Sequence, residues 1–182
     1  MLRNILRIII LFTAFIIQTT FHETLAIGQI APNLLLILVC CMGFISGRRV
    51  GIYTGFFCGL LLDIFFGYEN IMGLSAFCFM YLGYINGSYH EIFFTDDICI
   101  PLILTTLSDL AYNFLFYCAT FLLRGKLDFI LYFKKIIFPE MIYTAVITVL
   151  LFRGLQVIHE KLEKYERRGG ESRVKGISRD YT

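Results

Sequence analysis

Six stretches of this chain are apolar over a length that suits a lipid bilayer, and none holds more than two charged residues. A spanning helix needs about 20 mostly apolar residues, with a range of roughly 17–25. The stretches are approximately Ile5–Phe21, Pro32–Ser46, Val50–Phe66, Ile71–Tyr89, Ile100–Leu123 and Pro139–Gln156. The second is short and the fourth is interrupted by glycines, so five spans, with the second merely dipping in, is the rival to six.

Composition agrees with that reading. The 182 residues are 58% hydrophobic and only 16% charged, against about 45–50% apolar and about 25% charged in soluble domains. The N-terminal run is as long as a span and no small-residue cleavage site follows it, so it reads as a retained first helix rather than a signal peptide. A formal charge of +2 with no aromatic-basic interleaving excludes a nucleic-acid binder. The six cysteines lie in or beside apolar runs without any CxxC pair, and small apolar filler is the role expected of them.

The prolines and the basic residues set boundaries and orientation. Pro32, Pro101 and Pro139 each open a proposed span, where the missing N–H has no intrahelical partner to lose. With the N-terminus inside, the inner segments hold Arg3, Arg7, Arg48, Arg49 and every basic residue from Arg153 onward. The outer segments hold Arg124, Lys126, Lys134 and Lys135 in one connection, a local departure from the positive-inside rule. That connection, with Phe129–Phe133 between its charges, suits a segment lying in the headgroups. Arg48-Arg49 and the basic tail suit contacts with anionic membrane lipids.

The expected fold is therefore an all-α polytopic membrane protein of six transmembrane helices with both termini cytoplasmic. Residues 1–156 form the transmembrane domain. Residues 157–182 form a charged cytoplasmic helix extension, ended by Gly169-Gly170, and a disordered tail.

Within the third span Gly51, Gly55, Gly59 and Asp63 recur every four residues. Four residues advance about 400° on a helix, so the set drifts only about 40° per step and forms one stripe. Each glycine costs roughly 1 kcal/mol of helix propensity, which makes sense where backbones approach closely in a bilayer. Gly83 and Gly87 repeat the spacing in the fourth span. These six residues are expected to form a helix-packing or partner interface, and which of the two is open from the sequence.

Asp63 and Asp109 are the carboxylates at depth, and Thr105, Tyr112 and Asn113 lie on roughly the same face as Asp109. Ionisable groups there cost about 2.5–3.5 kcal/mol on insertion scales and are functional candidates, with interhelical hydrogen bonding as the plainer role. Asp109 and Asn113 are the intramembrane polar pair to follow. A proton relay needs a longer series of such groups than this. His22-Glu23, His90-Glu91 and His159-Glu160 look like a repeated ligand pair, but neighbours on a helix point about 100° apart. The proposed topology also puts the first pair on the opposite side of the membrane. No metal site, no cofactor site and no catalytic set is expected; HExxH, GxSxG and Walker loops do not occur.

The order of several short motifs resembles one family. Pro32-Asn33-Leu34-Leu35-Leu36 opens the second span, and Gly51-x3-Gly55-x3-Gly59-Leu60-Leu61-Leu62-Asp63 follows. Gly73-Leu74, Tyr81-Leu82-Gly83-Tyr84-Ile85-x-Gly87 and Pro139-Glu140 come after it. The set resembles the rod shape-determining protein MreD of bacteria over nearly the whole chain. The resemblance implies a non-enzymatic component of the cell-elongation machinery in the cytoplasmic membrane. Its implied partners are an MreC-like bitopic protein and, beyond it, MreB, RodA and a class B penicillin-binding protein. It also implies a fold similar to the substrate-binding components of energy-coupling-factor transporters, so a small-molecule transporter component is the alternative function. A membrane-embedded enzyme is a weaker third reading, because the sequence offers no nucleophile–base pair.

Overall fold

The computed structural model describes residues 2–25, 32–66, 73–91, 98–119 and 137–179. Among them the regular elements are all helical: α1 (Leu2–Leu25), α2 (Leu34–Ser46), α3 (Arg48–Phe66), α4 (Leu74–Ser88), α5 (Cys99–Tyr117) and α6 (Phe138–Arg179), with a 3-10 turn at Tyr89–Glu91. The basic connection around residues 124–135 lies outside the described residues, as does the side chain of His22.

The bundle is organised around its shortest helix. Every residue of α2 from Leu34 to Ile45 is buried, and α1, α3, α4, α5 and α6 all pack on it. A helix apolar on all sides, as LLLILVCCMGFIS is, has no polar face to turn outward and belongs at a centre. Its polar ends are provided for. The Asn33 side chain accepts the Leu36 N–H at 3.1 Å, and Gln18 of α1 accepts the Leu34 N–H at 2.9 Å. Asn33 is the N-cap, so Pro32 stands just outside the helix rather than in its first turn.

At the other end α2 turns into α3 through Gly47 alone. Its φ of +87° is left-handed, which a residue without Cβ adopts cheaply. Its N–H closes the last turn on the Gly43 carbonyl at 2.8 Å. The His90 ring Nδ1 donates to the Phe44 carbonyl at 2.6 Å, fastening the end of α4 to the same corner.

Polarity runs inward. Ile8, Phe12, Phe57, Ile64, Tyr81, Ile103 and Leu150 are exposed, whereas Asp63, Asn86, Thr105, Asp109, Thr144 and Thr148 are buried. Such an arrangement suits hydrocarbon outside the bundle. Three segments, Arg48–Phe66, Cys99–Tyr117 and Phe138–Leu162, are long and apolar enough to cross a membrane; Ile5–Thr20 and Leu34–Ser46 are shorter apolar helices.

One boundary differs from the sequence reading. α6 continues through Gly169-Gly170 to Arg179, where an end at the glycine pair is expected. Glycine weakens a helix by about 1 kcal/mol but keeps its N–H, so unlike proline it does not oblige the hydrogen-bond ladder to stop.

Candidate functional site: the glycine seam and the polar interior

The stripe on α3 packs against α4 of the same chain. The two helices run antiparallel, and their backbones meet every fourth residue. A Cβ at Gly51 would lie 2.8 Å from the Gly83 carbonyl carbon, and one at Gly55 would lie 2.7 Å from that of Phe79. At Gly59 it would lie 2.5 Å from the Ala76 Cα. The second helix answers in kind, since a Cβ at Gly83 would lie 2.7 Å from the Gly51 carbonyl carbon. One at Gly87 would lie 2.6 Å from the Arg48 Cα. Side chains do not approach one another this closely, so backbone occupies the space that side chains fill elsewhere. The seam is intramolecular, and this settles which helix the glycines serve.

Asp63 closes the seam in a way the spacing does not reveal. It is buried at the last turn of α3 and reaches the start of α4. Its Oδ2 accepts the N–H groups of Gly73 and Ala76, both at 3.0 Å, and Oδ1 accepts that of Ser75 at 3.2 Å. The first N–H groups of a helix lack intrahelical partners. The N-cap of α4 is Gly73, with φ +97° and no side chain to serve them. Asp63 supplies the cap from a neighbouring helix, and its negative charge sits at the positive end of the α4 dipole.

A second polar seam joins α5 to α6. Thr105, Asp109 and Asn113 recur every four residues on α5, and Glu140, Thr144 and Thr148 do so on α6. The helices are antiparallel, and the two rows meet in register. Asn113 stands beside the Glu140 side chain and Thr144 beside Asp109. Asp109 is fully buried, and its Oδ1 takes only a long 3.5 Å contact from Asn113 Nδ2. Its Oδ2 and the hydroxyls of Thr105 and Thr144 have no partner of hydrogen-bonding geometry. Thr148 donates back to the Thr144 carbonyl at 2.7 Å.

Further polar contacts tie the two seams together. Ser75 and Tyr112 share a hydrogen bond of 3.2 Å between α4 and α5, and Asn86 Nδ2 donates to Ser108 Oγ at 2.9 Å. The Tyr112 ring also packs edge-on against Phe79, centroids 5.1 Å apart, beside the α3–α4 seam.

Sequence inspection places Asp109 and Asn113 on one face but gives Glu140 no part in the interior. The signal is present as Glu140-x3-Thr144-x3-Thr148, the same four-residue rhythm written in hydroxyls instead of glycines. Asn86 and Ser108 carry no comparable pattern. Among the described residues no three His, Cys, Asp or Glu side chains converge as metal ligands.

Taken together, these features define a helical membrane protein whose polar side chains are turned inward onto one another. A family model for the rod shape-determining protein MreD matches residues 1–159, and the chain belongs to that family. MreD proteins take part in determining rod shape. No curated protein and no solved structure matches the chain.

Proposed function

We propose that this chain is a multi-pass, non-enzymatic scaffold in the bacterial cytoplasmic membrane, with six crossings and both termini in the cytoplasm. In this role it holds an MreC-like bitopic protein and links the MreB cytoskeleton to peptidoglycan synthesis by RodA and a class B penicillin-binding protein. The observation that carries the reading is the inside-out bundle. Its polar groups are spent on helix–helix contacts, while its outer faces offer apolar side chains such as Tyr53, Phe57, Phe65 and Tyr81. The glycine seam is occupied internally, so a partner helix would dock on those outer faces.

The test is co-purification from membranes together with shape complementation. The intact chain should retain the MreC-like protein and restore rods in cells lacking their own copy. Phe57→Ala combined with Tyr53→Ala should weaken capture without loss of folded protein. Rods restored with no MreC-like protein bound would overturn the scaffold reading.

A further inference from the structure

Not every polar group inside the bundle is spent on a neighbouring helix. Asp63 and Asp109 are both buried carboxylates, and they are served very differently. Asp63 accepts three backbone N–H groups. Asp109, 0% exposed, takes one long contact from Asn113, and its Oδ2 has no hydrogen-bond partner. No Lys, Arg or His is buried among the described residues, so no basic side chain shares the interior with it. Two hydroxyls are left open in the same way. Thr13, Thr54, Thr106 and Thr148 each donate to the carbonyl four residues back, the bond a helix offers a hydroxyl locally. Thr105 and Thr144, 1% and 0% exposed, make no such bond and have no partner of hydrogen-bonding geometry. Thr105 lies one turn before Asp109 on the same face of α5, and Thr144 of α6 stands beside Asp109. Three unpartnered oxygens, one from a carboxylate and two from hydroxyls, thus gather between α5 and α6. On the α2 side Cys41 stands beside Thr105, and Cys40 beside Ser108; thiols are weak partners for either group.

The geometry points to a binding site for one monovalent cation between α5 and α6, held by Asp109, Thr105 and Thr144. Buried polar groups without partners call for an occupant, either water or an ion. Water can bridge such oxygens, but it leaves a carboxylate charge uncompensated at membrane depth, where charge is costly. A proton cancels the charge, yet a carboxylic acid offers a single O–H to two hydroxyls that have each forgone a carbonyl. A cation answers both needs, because it takes several oxygen ligands at once and carries the opposite charge. Sodium is held at membrane depth by oxygen ligands in transporters. One carboxylate balances one positive charge, which favours a monovalent ion over calcium or magnesium. The same row of residues supplies a way in. Asn113, one turn beyond Asp109, stands beside Glu140, which is half-buried in the first turn of α6. Asp109 lies eight residues from the end of α5 at Tyr117, about 12 Å at 1.5 Å per residue. In the proposed topology that end faces outward, so the ion enters from outside the cell.

The test is equilibrium binding of radioactive sodium to the purified full chain in detergent, with choline holding the ionic strength constant. One saturable sodium per chain is expected. Asp109→Asn, which keeps the shape and removes the charge, should abolish it. Thr105→Val and Thr144→Val should each weaken it by at least about tenfold, the scale on which metal sites respond to loss of a supporting group. Thr106→Val removes a hydroxyl already engaged with the Leu102 carbonyl and should leave binding unchanged. Sodium retained by Asp109→Asn, or lost equally in Thr106→Val, would overturn the site. Displacement by calcium at lower concentration than by unlabelled sodium would overturn the monovalent assignment. A second reading uses the native sequence and so does not depend on any variant folding. A ligand that binds only the folded state stabilises it, so replacing choline with sodium should raise the temperature at which the buried thiols of Cys40 and Cys41 react with a maleimide. No saturable sodium and no such shift in the native chain overturns the proposal. An infrared carboxylic-acid band that Asp109→Asn removes would then identify a proton as the occupant.

Discussion

The Asp63 carboxylate accepts the backbone N–H of Ala76 at 3.0 Å, so the end of one seam helix is the cap of the other. The same two helices are thus joined twice, by backbone contact along the glycines and by a charge at the end. Alanine at position 63 removes three acceptor contacts at once. Asp63→Ala should cost about 0.5–2 kcal/mol, as loss of an N-cap does, and Asp63→Asn should fall between it and the native protein. An amide keeps one oxygen for Gly73 and Ala76 but turns an N–H₂ toward the Ser75 N–H. Unfolding of the purified protein by SDS titration in mixed micelles would check the order.

Glycines 55 and 154 are both helical, yet they should respond in opposite directions to alanine. At Gly55 the new methyl group meets the Phe79 carbonyl carbon at 2.7 Å, whereas at Gly154 nothing lies within 4 Å. Gly55→Ala should destabilise by about 1–3 kcal/mol through overpacking. Gly154→Ala should be neutral or stabilising by up to about 1 kcal/mol through helix propensity. The same SDS titration measures both.

A double-mutant cycle on Asn113 and Glu140 tests the α5–α6 register. Hydrogen bonds between helices in membranes average about 0.6 kcal/mol and reach about 1.7. Asn113→Ala and Glu140→Ala should couple within that range, while Asn113→Ala and Thr54→Ala, on a helix away from this seam, should add independently. Zero coupling for the first pair would refute the pairing of Asn113 with Glu140.

Thiol labelling reports both burial and topology. Cys99 is exposed at the start of α5, and Cys40, Cys41, Cys58 and Cys78 are buried. A maleimide followed by peptide mass spectrometry should modify Cys99 first and the four buried thiols only after unfolding. If α5 enters the membrane from the cytoplasm, an impermeant maleimide should reach Cys99 in inside-out vesicles and not in intact spheroplasts. The reverse pattern would contradict six spans with both termini inside.

Much of the bundle is legible in the residues, because apolar run length and four-residue rhythm are local properties. The start of α5 lies within a residue of its expected position, and Gly47 is legible as a turn because charged Arg48-Arg49 follows it. Pairing across helices is less legible. The glycines of α3 announce a close approach, but only geometry shows that Gly83 and Phe79 answer them. Asp63 reads as the end of a stripe, whereas its purpose depends on N–H groups ten to thirteen residues further along. Glu140 was hidden for a related reason: an acid at the first turn of a helix has an ordinary place there, and its partner Asn113 lies on another helix. The long continuation of α6 past Gly169 escapes a rule that treats paired glycines as a stop.

The enclosure of α2 has a consequence for how the protein is made. Thirteen residues at 1.5 Å each give a helix of about 20 Å, short of a hydrocarbon layer of about 30 Å. α2 leaves the ribosome second, before four of the five helices that surround it exist. Until they arrive it is a stub in a layer too thick for it, which the bilayer accommodates only by thinning or by drawing flanking groups inward. The mature centre of the protein is thus its least self-sufficient part during synthesis. Chain truncated after α4 should be degraded in cells, although the seam between α3 and α4 is already complete.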